Sequence, residues 1–454
     1  MFSALLPFFL SVLAIFRPGS RFLIYPSGIH MAYTERPNEL SFRWTSSFPL
    51  WDSTFLVRQS YCPGTPDDPE WLDVQVEWVW SYDIASRTWE VVYTAILQDI
   101  YPECEYEYFI GAGVIWTPIR KFKVKTPYSP SSPSEADLLS PASFLIVGDL
   151  GVGTTGEATR ESLFRFQATG EWDALLHLGD IAYNLEDFEP YLDLVYFQEL
   201  EPLTSIFPYM VIPGNHELRH NYTKYKADFR MPDNAASQGS SLFYSFNLGR
   251  AHIVAISSDH FYEWPEAERL THWNWLVEDL EAANRNREIA PWLIVLMHRP
   301  LYCGVDYTLP LDYEEGPNRD CSYRTEPLKL QLEELFYASG VDVILDAHNH
   351  NYQRLMPIYH NSTVPSAYDD QHTHKAPQAP LYILEGSAGN DEGNDVLTPT
   401  PQAWMSYQSR SYGFGTMKVF NTSHFYWEHY DSESEELLDY VWVVKETPRY
   451  VSRQ

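Results

Sequence analysis

The stretch that decides the fold is FLIVGDLG, residues 144–151, in which an apolar run ends directly in a glycine and an aspartate. The apolar residues 144–147 predict a buried strand. A helical pattern follows at about residues 157–168, with Thr155 as the expected N-cap. Strands that alternate with helices are typical of an α/β layered domain, in which ligands bind beyond the carboxyl ends of the strands.

The same pattern recurs toward the C-terminus. Apolar strands are predicted at residues 174–178, 209–212, 293–297, 341–345 and 381–384, and helices near residues 271–284 and 328–339. Five strand ends carry oxygen or nitrogen donors in the motifs GDLG (148–151), GDIAY (179–183), GNHE (214–217), VLMH (295–298) and AHNH (347–350). Such donors suit Fe, Mn and Zn, and they are too many for one ion. The motifs therefore predict a two-metal site of the kind that holds phosphoryl oxygens.

The N-terminal part of the chain has a different character. Short runs of period-two alternation predict strands at residues 41–44, 54–59, 72–78, 89–96, 106–111 and 121–125. Tyr106 and Tyr108, which follow Tyr101 and Pro102, resemble the tyrosine corner of fibronectin type III sandwiches. A Pro/Ser-rich stretch at 128–134 indicates a linker. The expected organisation is a signal peptide (1–20), a β-sandwich (21–127), a linker (128–142) and an α/β catalytic domain with a C-terminal extension (143–454).

Composition excludes two classes of protein. The 454 residues contain 31 Lys and Arg against 62 Asp and Glu, so the formal net charge is −31. A polyanion such as a nucleic acid would be repelled, and nucleic acid is not expected as a partner. A hydrophobic content of 44% excludes an intrinsically disordered chain.

Several features indicate the secretory pathway. The apolar run 2–16 is shorter than the roughly 20 residues of a transmembrane helix and is typical of a signal peptide. Acceptor sequons begin at Asn221, Asn361 and Asn421. Four cysteines, Cys62, Cys104, Cys303 and Cys321, fit one disulfide in each domain, with four buried thiols as the alternative. We expect a secreted or lysosomal glycoprotein without a transmembrane segment.

Taken together and in this order, the five motifs resemble those of the purple acid phosphatases in the calcineurin-like metallophosphoesterase superfamily. The resemblance covers nearly the whole chain. It implies two domains, an N-terminal all-β fibronectin type III-like sandwich and a C-terminal α/β metallophosphoesterase domain with two β-sheets flanked by helices.

The resemblance also implies residue roles. Fe(III) would be bound by Asp149, Tyr183 and His350, a divalent Fe, Zn or Mn ion by Asn215, His298 and His348, and Asp180 would bridge the two ions. His216 would contact phosphate and protonate the leaving oxygen. Other superfamily members usually carry Asp-x-His in the first motif, where this chain has Asp149-Leu150-Gly151. Without Tyr183 as a ligand, the first metal would therefore lack one donor.

The implied activity is hydrolysis of phosphate monoesters at acid pH, with a metal-bound hydroxide as nucleophile. The substrates would be small phosphate esters or phosphoproteins, and a homodimer is possible. A phosphodiesterase or nucleotidase of the same superfamily is the alternative, and comparing diester with monoester turnover would separate the two. A non-catalytic adhesion protein with this fold would be expected to lack a ligand, whereas all seven positions are filled here.

A few residues depart from the family pattern or are ambiguous. Ala347 stands where the family usually has Gly, and Gln353 stands where it usually has Glu. Arg299 could contact phosphate or brace the loop that follows it, and the second interpretation is favoured. His177 and His252 are predicted to be structural residues of their strands.

Overall fold

A computed structural model describes residues 25–64, 70–83, 88–128, 138, 140–183, 185, 192–304, 325–397 and 401–445. The predicted signal peptide and most of the predicted linker lie outside these residues. Within the described part of the chain, no helix is long and apolar enough to cross a membrane.

The N-terminal part is a sandwich of two antiparallel sheets. Its strands are β1 (Ser27–Tyr33), β2 (Leu40–Ser46), β3 (Thr54–Tyr61), β4 (Leu72–Val74), β5 (Val76–Asp83), β6 (Thr88–Leu97), β7 (Glu105–Ala112), β8 (Ile115–Trp116) and β9 (Arg120–Phe122). One sheet has the order β1-β2-β6-β5, and the other has the order β4-β3-β7-β8 with β9 beside β7. This confirms the predicted all-β region.

Two details of the strand prediction were wrong. The strand predicted at 72–78 is interrupted at Gln75, because β4 pairs with β3 in one sheet and β5 pairs with β6 in the other. Side-chain alternation continues across that change of sheet, so the pattern does not reveal it. The strand predicted at 121–125 ends at Phe122. Strand β1, which is buried along its whole length, was not predicted.

A tyrosine corner and a disulfide fix the loop before β7. The phenol oxygen of Tyr106 accepts a hydrogen bond from the backbone N–H of Tyr101 at 2.9 Å, as the resemblance implied. Cys62 and Cys104 form the predicted disulfide of the sandwich. The other predicted pair includes Cys321, which lies outside the described residues.

The described residues from 138 onward form the predicted α/β layers. The strands are β10 (Ala142–Val147), β11 (Leu150–Gly151), β12 (Ala174–His177), β13 (Ile181–Ala182), β14 (Tyr209–Val211), β15 (Tyr244–Leu248), β16 (Ala251–Ala255), β17 (Trp292–Leu296), β18 (Val343–Asp346), β19 (Tyr352–Leu355), β20 (Ile358–Tyr359), β21 (Ser362–Thr363), β22 (Tyr368–Asp369), β23 (Thr373–Lys375), β24 (Leu381–Glu385), β25 (Met405–Ser409), β26 (Gly413–Val419), β27 (His424–Asp431) and β28 (Leu437–Val444). The helices are α1 (Thr154–Gln167), α2 (Leu192–Thr204), α3 (Thr223–Asp228), α4 (Asp259–Glu263), α5 (Glu266–Arg285) and α6 (Thr325–Ala338), with a 3₁₀ segment at His216–Asn221.

Two large sheets bring the five motifs to one edge. An eight-stranded sheet contains the parallel strands β14-β12-β10, and a seven-stranded sheet contains the parallel strands β16-β17-β18-β24. The GDLG, GDIAY and GNHE motifs follow β10, β12 and β14, whereas the VLMH and AHNH motifs continue β17 and β18. Because parallel strands end at a common edge, both sheets deliver their polar residues to the same place.

Helix α1 begins one residue before the predicted cap. Its N-cap is Gly153, with φ = 72° and no side-chain cap, so the prediction of Thr155 as the N-cap was wrong. Glycine adopts this left-handed conformation at the lowest cost, and it therefore makes the turn from β11 into the helix.

The sandwich and the α/β layers share one apolar core. Strand β1 packs along α2, where the Thr204 hydroxyl donates to the carbonyl of Ile29 at 3.0 Å. The phenol of Tyr33 donates to the carbonyl of Asp173 at 3.1 Å, and Lys224 of α3 forms a buried ion pair with Glu90 of β6. The two parts therefore support each other.

Two buried histidines lie among aromatic rings between α4 and α5. The His272 ring stacks on Phe243 with a centroid distance of 4.1 Å, and His260 contacts His272 at 5.4 Å. None of their four ring nitrogens has a hydrogen-bond partner among the described residues. Burial lowers the pKa of His260 to about 4 and places the pKa of His272 well below its ordinary value.

We predict that His272→Phe reduces the acid sensitivity of the fold. In the unfolded chain His272 takes up a proton below about pH 6.5, whereas the buried ring stays neutral, so acid favours unfolding. Between pH 6.5 and 4.5 this one residue costs the wild-type chain about 2 kcal/mol of stability that the variant retains. Urea unfolding at both pH values measures the difference. Phe261→Leu, which loosens the same cluster, is the control and should lower the free energy of unfolding equally at both pH values. If His272→Phe and the wild-type chain lose the same stability between pH 6.5 and 4.5, the prediction is wrong.

Candidate metal centre

Three of the predicted ligands form a first group, which we call the tyrosine cluster: Asp149, Tyr183 and His350. The phenol of Tyr183 donates to Asp149 Oδ1 at 3.0 Å and lies 2.6 Å from His350 Nε2. All three side chains are buried. Residues 34 and 167 positions away from Tyr183 thus meet at its hydroxyl group.

The other four predicted ligands form the imidazole cluster: Asp180, Asn215, His298 and His348. His298 Nε2 lies 3.2 Å from Asp180 Oδ2 and 3.1 Å from Asn215 Oδ1. One donor atom each from Asp180, His298 and His348 fall within 4.8 Å of one another. This spacing is compatible with a single cation held between them.

The two clusters adjoin at a backbone contact, in which the N–H of His348 donates to Asp149 Oδ2 at 2.9 Å. Within the imidazole cluster, the backbone N–H of His216, the residue after Asn215, donates to Asp180 Oδ1 at 2.9 Å. The structure therefore brings together all seven predicted ligands, from five separate motifs.

Hydrogen bonds orient two of the three imidazoles for metal binding. His298 Nδ1 donates to the carbonyl of Leu178 at 2.8 Å, and His350 Nδ1 donates to the carbonyl of Gly393 at 3.0 Å. Because a carbonyl only accepts, these contacts place a proton on Nδ1 and direct Nε2, the atom that would bind a metal, into the site. This is the usual support of a metal-binding histidine.

The electrostatics of the site favour added positive charge. Burial raises the pKa of Asp149 to about 7, and nearby imidazoles offset this only in part. Burial also opposes ionisation of Asp180, but His298 and His216 hold its pKa well below the ordinary value. Burial lowers the pKa of His298, yet Asp180 outweighs it and raises that pKa to about 10. Since buried carboxylates need paired charge, this donor set fits metal cations.

Four of the seven predicted ligands have a left-handed backbone. Their φ angles are 61° at Asp149, 53° at Asp180, 52° at Tyr183 and 72° at His348. Such non-glycine residues cost about 1–3 kcal/mol each and persist where packing fixes them, as at functional sites.

Glycines beside the ligands leave the room that this arrangement needs. A Cβ on Gly214 would lie 2.2 Å from Asp180 Oδ1, so a side chain there would displace the carboxylate. A Cβ on Gly148 would lie 2.5 Å from the methyl group of Ala347. Gly148 thus accommodates the alanine that stands where the family usually has glycine.

Glu217, the last residue of the GNHE motif, binds the second and third motifs together. Its buried carboxylate accepts backbone N–H groups of Asp180 at 3.0 Å, Ile181 at 2.8 Å and Gly214 at 2.8 Å. Burial and the charge of Asp180 raise its pKa to about 8, against the effect of these donors. The GNHE motif alone does not indicate this role, although Glu217 is the last residue of that motif.

His216 lies beside both clusters with part of its side chain exposed. Its ring centroid is 4.7 Å from that of Tyr183, and its Nε2 atom is 3.7 Å from Asp180 Oδ2. Glu392, which sequence reasoning missed, lies 3.7 Å from His216 Nε2 and 4.0 Å from His350 Nε2. The sequence feature that could have identified Glu392 is its position three residues after Gly389, in the glycine-rich loop that follows β24.

Gln353 explains the second departure from the family pattern. Its amide oxygen accepts the N–H of Gly304 at 2.7 Å, and its amide nitrogen donates to Asn351 Oδ1 at 2.9 Å. A glutamate cannot donate the second bond, so glutamine is the residue that suits both partners.

The histidines predicted to be structural, His177 and His252, are both buried. His177 contacts the phenol of Tyr209 at 2.7 Å, and His252 contacts the carboxylate of Asp279 at 2.9 Å.

Comparison with known proteins agrees with this geometry. Residues 142–352 match the calcineurin-like phosphoesterase family, and residues 379–440 match the family described as iron/zinc purple acid phosphatase-like protein C. These matches define the chain as a metallophosphoesterase.

Individual relatives identify the family more narrowly than these two family models do. The chain is 31% identical over 431 residues to acid phosphatase type 7 of Homo sapiens and 30% identical over 438 residues to that of Danio rerio. The first alignment covers 92% of this chain and 91% of the human protein; the second covers 93% and 91%. Purple acid phosphatase 21 of Arabidopsis thaliana is 30% identical over 66% of this chain and 63% of its own length. The chain belongs to the purple acid phosphatase family and is a phosphatase.

A solved structure supports the fold. Purple acid phosphatase PPD1 from yellow lupin (Lupinus luteus) seeds superposes with a TM-score of 0.74 at 20% identity, covering 93% of this chain and 74% of that one. The two-part architecture expected from the sequence is confirmed.

We predict that Glu217→Gln weakens the hydrogen bonds that join the second and third motifs beside the candidate metal centre. The substituted amide turns an N–H group toward backbone N–H donors, which should cost about 3 kcal/mol of stability and lower metal content. Urea unfolding and metal analysis of the purified protein measure both. Glu333→Gln is the control, because Glu333 is also a buried carboxylate and accepts the backbone N–H of His360 at 2.8 Å, but it is not part of the five motifs. This variant should keep its metal content. Full metal content in Glu217→Gln would contradict the prediction.

Proposed function

We propose that this phosphatase uses a binuclear Fe(III)–M(II) centre, with M an Fe, Zn or Mn ion, to hydrolyse phosphate monoesters at acid pH. The observation that carries the proposal is the convergence of the seven side chains in two adjoining clusters around Asp180. When bound, the two ions supply Lewis acidity to the phosphoryl oxygens and make a nucleophile available at low pH.

The tyrosine cluster would hold the ferric ion. Asp149 and Tyr183 offer two oxygens that become anionic on metal binding, and His350 presents an Nε2 lone pair. Hard, charged oxygen donors suit a trivalent ion. Burial and the charge of Asp149 place the pKa of Tyr183 well above its ordinary value, so the phenol needs a strong cation beside it to lose its proton.

The imidazole cluster would hold the divalent ion. Asn215, His298 and His348 are neutral donors when they bind a metal, and Asp180 would contribute the bridging carboxylate. Neutral donors suit the lower charge of a divalent ion.

His216 would protonate the leaving oxygen. Its Nε2 atom lies at the border of both clusters, where a phosphate ester would bind, and Glu392 is close enough to orient the ring. Glu392 is about half exposed, so it can also limit which anionic substrates approach.

The secretory route remains part of the proposal. Asn221, Asn361 and Asn421 are all exposed, and glycans at these positions would extend into solvent. The Cys62–Cys104 disulfide suits an oxidising compartment.

Tyr183→Phe should abolish the visible absorption band of the purified protein, because the phenolate supplies the charge-transfer transition to iron. A visible spectrum recorded beside elemental analysis tests the proposal directly. Tyr209→Phe removes another buried phenol, which contacts His177 away from the clusters, and should leave the colour intact. Iron-free active enzyme, or colour that survives in Tyr183→Phe, would refute the ligand assignment.

His216→Ala should slow esters with poor leaving groups most. We expect about a 100-fold loss of kcat on an alkyl phosphate, which needs its alkoxide protonated, and a much smaller loss on 4-nitrophenyl phosphate. His220→Ala, in the same 3₁₀ segment, is the control. Equal losses on both substrates would remove the proton-donor role of His216.

A further inference from the structure

We propose that the N-terminal sandwich binds a neutral oligosaccharide on the outer face of its β4-β3-β7-β8 sheet. The site is a row of three aromatic rings, Trp71, Phe109 and Trp116, which we call the aromatic strip. This surface lies outside the five motifs, and the inference does not rest on the proposed function.

The aromatic strip lies on the side of the sheet that faces away from the sandwich core. Leu56 of β3 is half-buried, whereas its two neighbours in that strand belong to the core. Leu56 pairs with Phe109 of β7, so both side chains point outward. The ring of Phe109 lies 4.8 Å from that of Trp71 and 5.2 Å from that of Trp116, measured between centroids. The strip therefore crosses the sheet from the start of β4 to β8.

Trp116 is held flat against the sheet. It pairs with Gly111 of β7, and a Cβ on that glycine would lie 2.6 Å from the indole Cδ2 atom, so the indole covers the glycine. The indole N–H donates to the carbonyl of Gly113 at 2.9 Å, and the ring of Phe109 packs edge-to-face against the indole. Since the sheet covers one face, the 37% of the side chain that stays exposed belongs mainly to the opposite face.

Charged side chains of both signs flank the strip. The Arg58 guanidinium lies 4.6 Å above the ring of Trp71, and it forms an ion pair with Glu107 at 2.6 Å. Lys121 forms a second ion pair with Glu107 at 2.6 Å, and the exposed Asp73 pairs with the outward-facing Leu56 across β4 and β3. Two cations and two carboxylates thus balance each other beside the rings, and they offer hydrogen-bond donors as well as acceptors.

A neutral sugar has the chemistry that matches this surface. The C–H groups on the face of a pyranose ring carry a partial positive charge, which suits the negative face of an indole. Sugar hydroxyl groups both donate and accept, as the flanking side chains require. An anionic partner would instead meet the formal net charge of −31. Because Trp116 is already fixed, stacking on it costs little conformational freedom.

The experiment uses the full-length chain, with cellohexaose and mannohexaose as probes. Isothermal calorimetry without any phosphate ester should show binding of at least one of them with a Kd below about 1 mM. Trp116→Ala should weaken that binding about tenfold, because the strip loses its exposed flat ring. Hexagalacturonate, which has the same length but carries a carboxylate on every ring, should bind at least about tenfold more weakly than the neutral chain.

Two further variants complete the test. Trp51→Ala removes a tryptophan that is more exposed, at 68%, but that packs on Trp78 of the other sheet, and it should change the affinity less than twofold. Trp116→Phe keeps a flat ring over Gly111 and should recover part of the affinity that Trp116→Ala loses. If Trp116→Ala does not fold, the comparison of Trp116→Phe with Trp51→Ala, and of neutral with charged sugars, decides the question.

Several results would overturn the inference. They are an absence of binding to both neutral probes, equal affinity for hexagalacturonate, and equal losses in the Trp51 and Trp116 variants. Sedimentation and phosphatidylcholine vesicles test two other partners, a second copy of the chain and a membrane surface. Either kind of association, if it is lost in Trp116→Ala while no sugar binds, would assign the strip to that partner instead. Loss of phosphatase activity is not expected in any of these variants, so the proposed function stands or falls separately.

Discussion

The structure depends on two carboxylates, Asp149 and Asp180, that are buried side by side. Removing a carboxylate from water is costly, and a neighbouring carboxylate increases the cost. Only part of the compensation comes from the protein, through backbone N–H groups and the His298 imidazole. The negative charge that remains uncompensated favours the binding of cations at this site.

Packing within the fold holds several residues of the site in strained backbone conformations. Four of the predicted ligands adopt left-handed conformations, and such residues are stable only where the surrounding packing fixes them. The carboxyl ends of two sheets provide that packing, because their strands are buried and their motifs leave the sheets in fixed directions. Glu217 ties two of these motifs together with three hydrogen bonds.

The N-terminal sandwich contributes to the same rigidity from a distance. Its strand β1 lies along α2 and β14, and its apolar residues belong to the same core as β10 and β12. Burial of the Lys224–Glu90 ion pair at this boundary shows that solvent is excluded there. The sandwich therefore shares its core with the layers that carry the predicted ligands.

The sequence by itself determined the fold class, the family and the set of polar residues at the strand ends, because apolar runs that end in Gly-Asp or His are local features. It did not determine the change of sheet at Gln75, the cap of α1 or the roles of Glu217 and Glu392. These depend on hydrogen bonds between segments as much as 199 residues apart, as in the contact between His348 and Asp149. Only the tertiary structure decides such contacts, since the direction of a side chain follows from how two sheets meet and not from its neighbours in the chain.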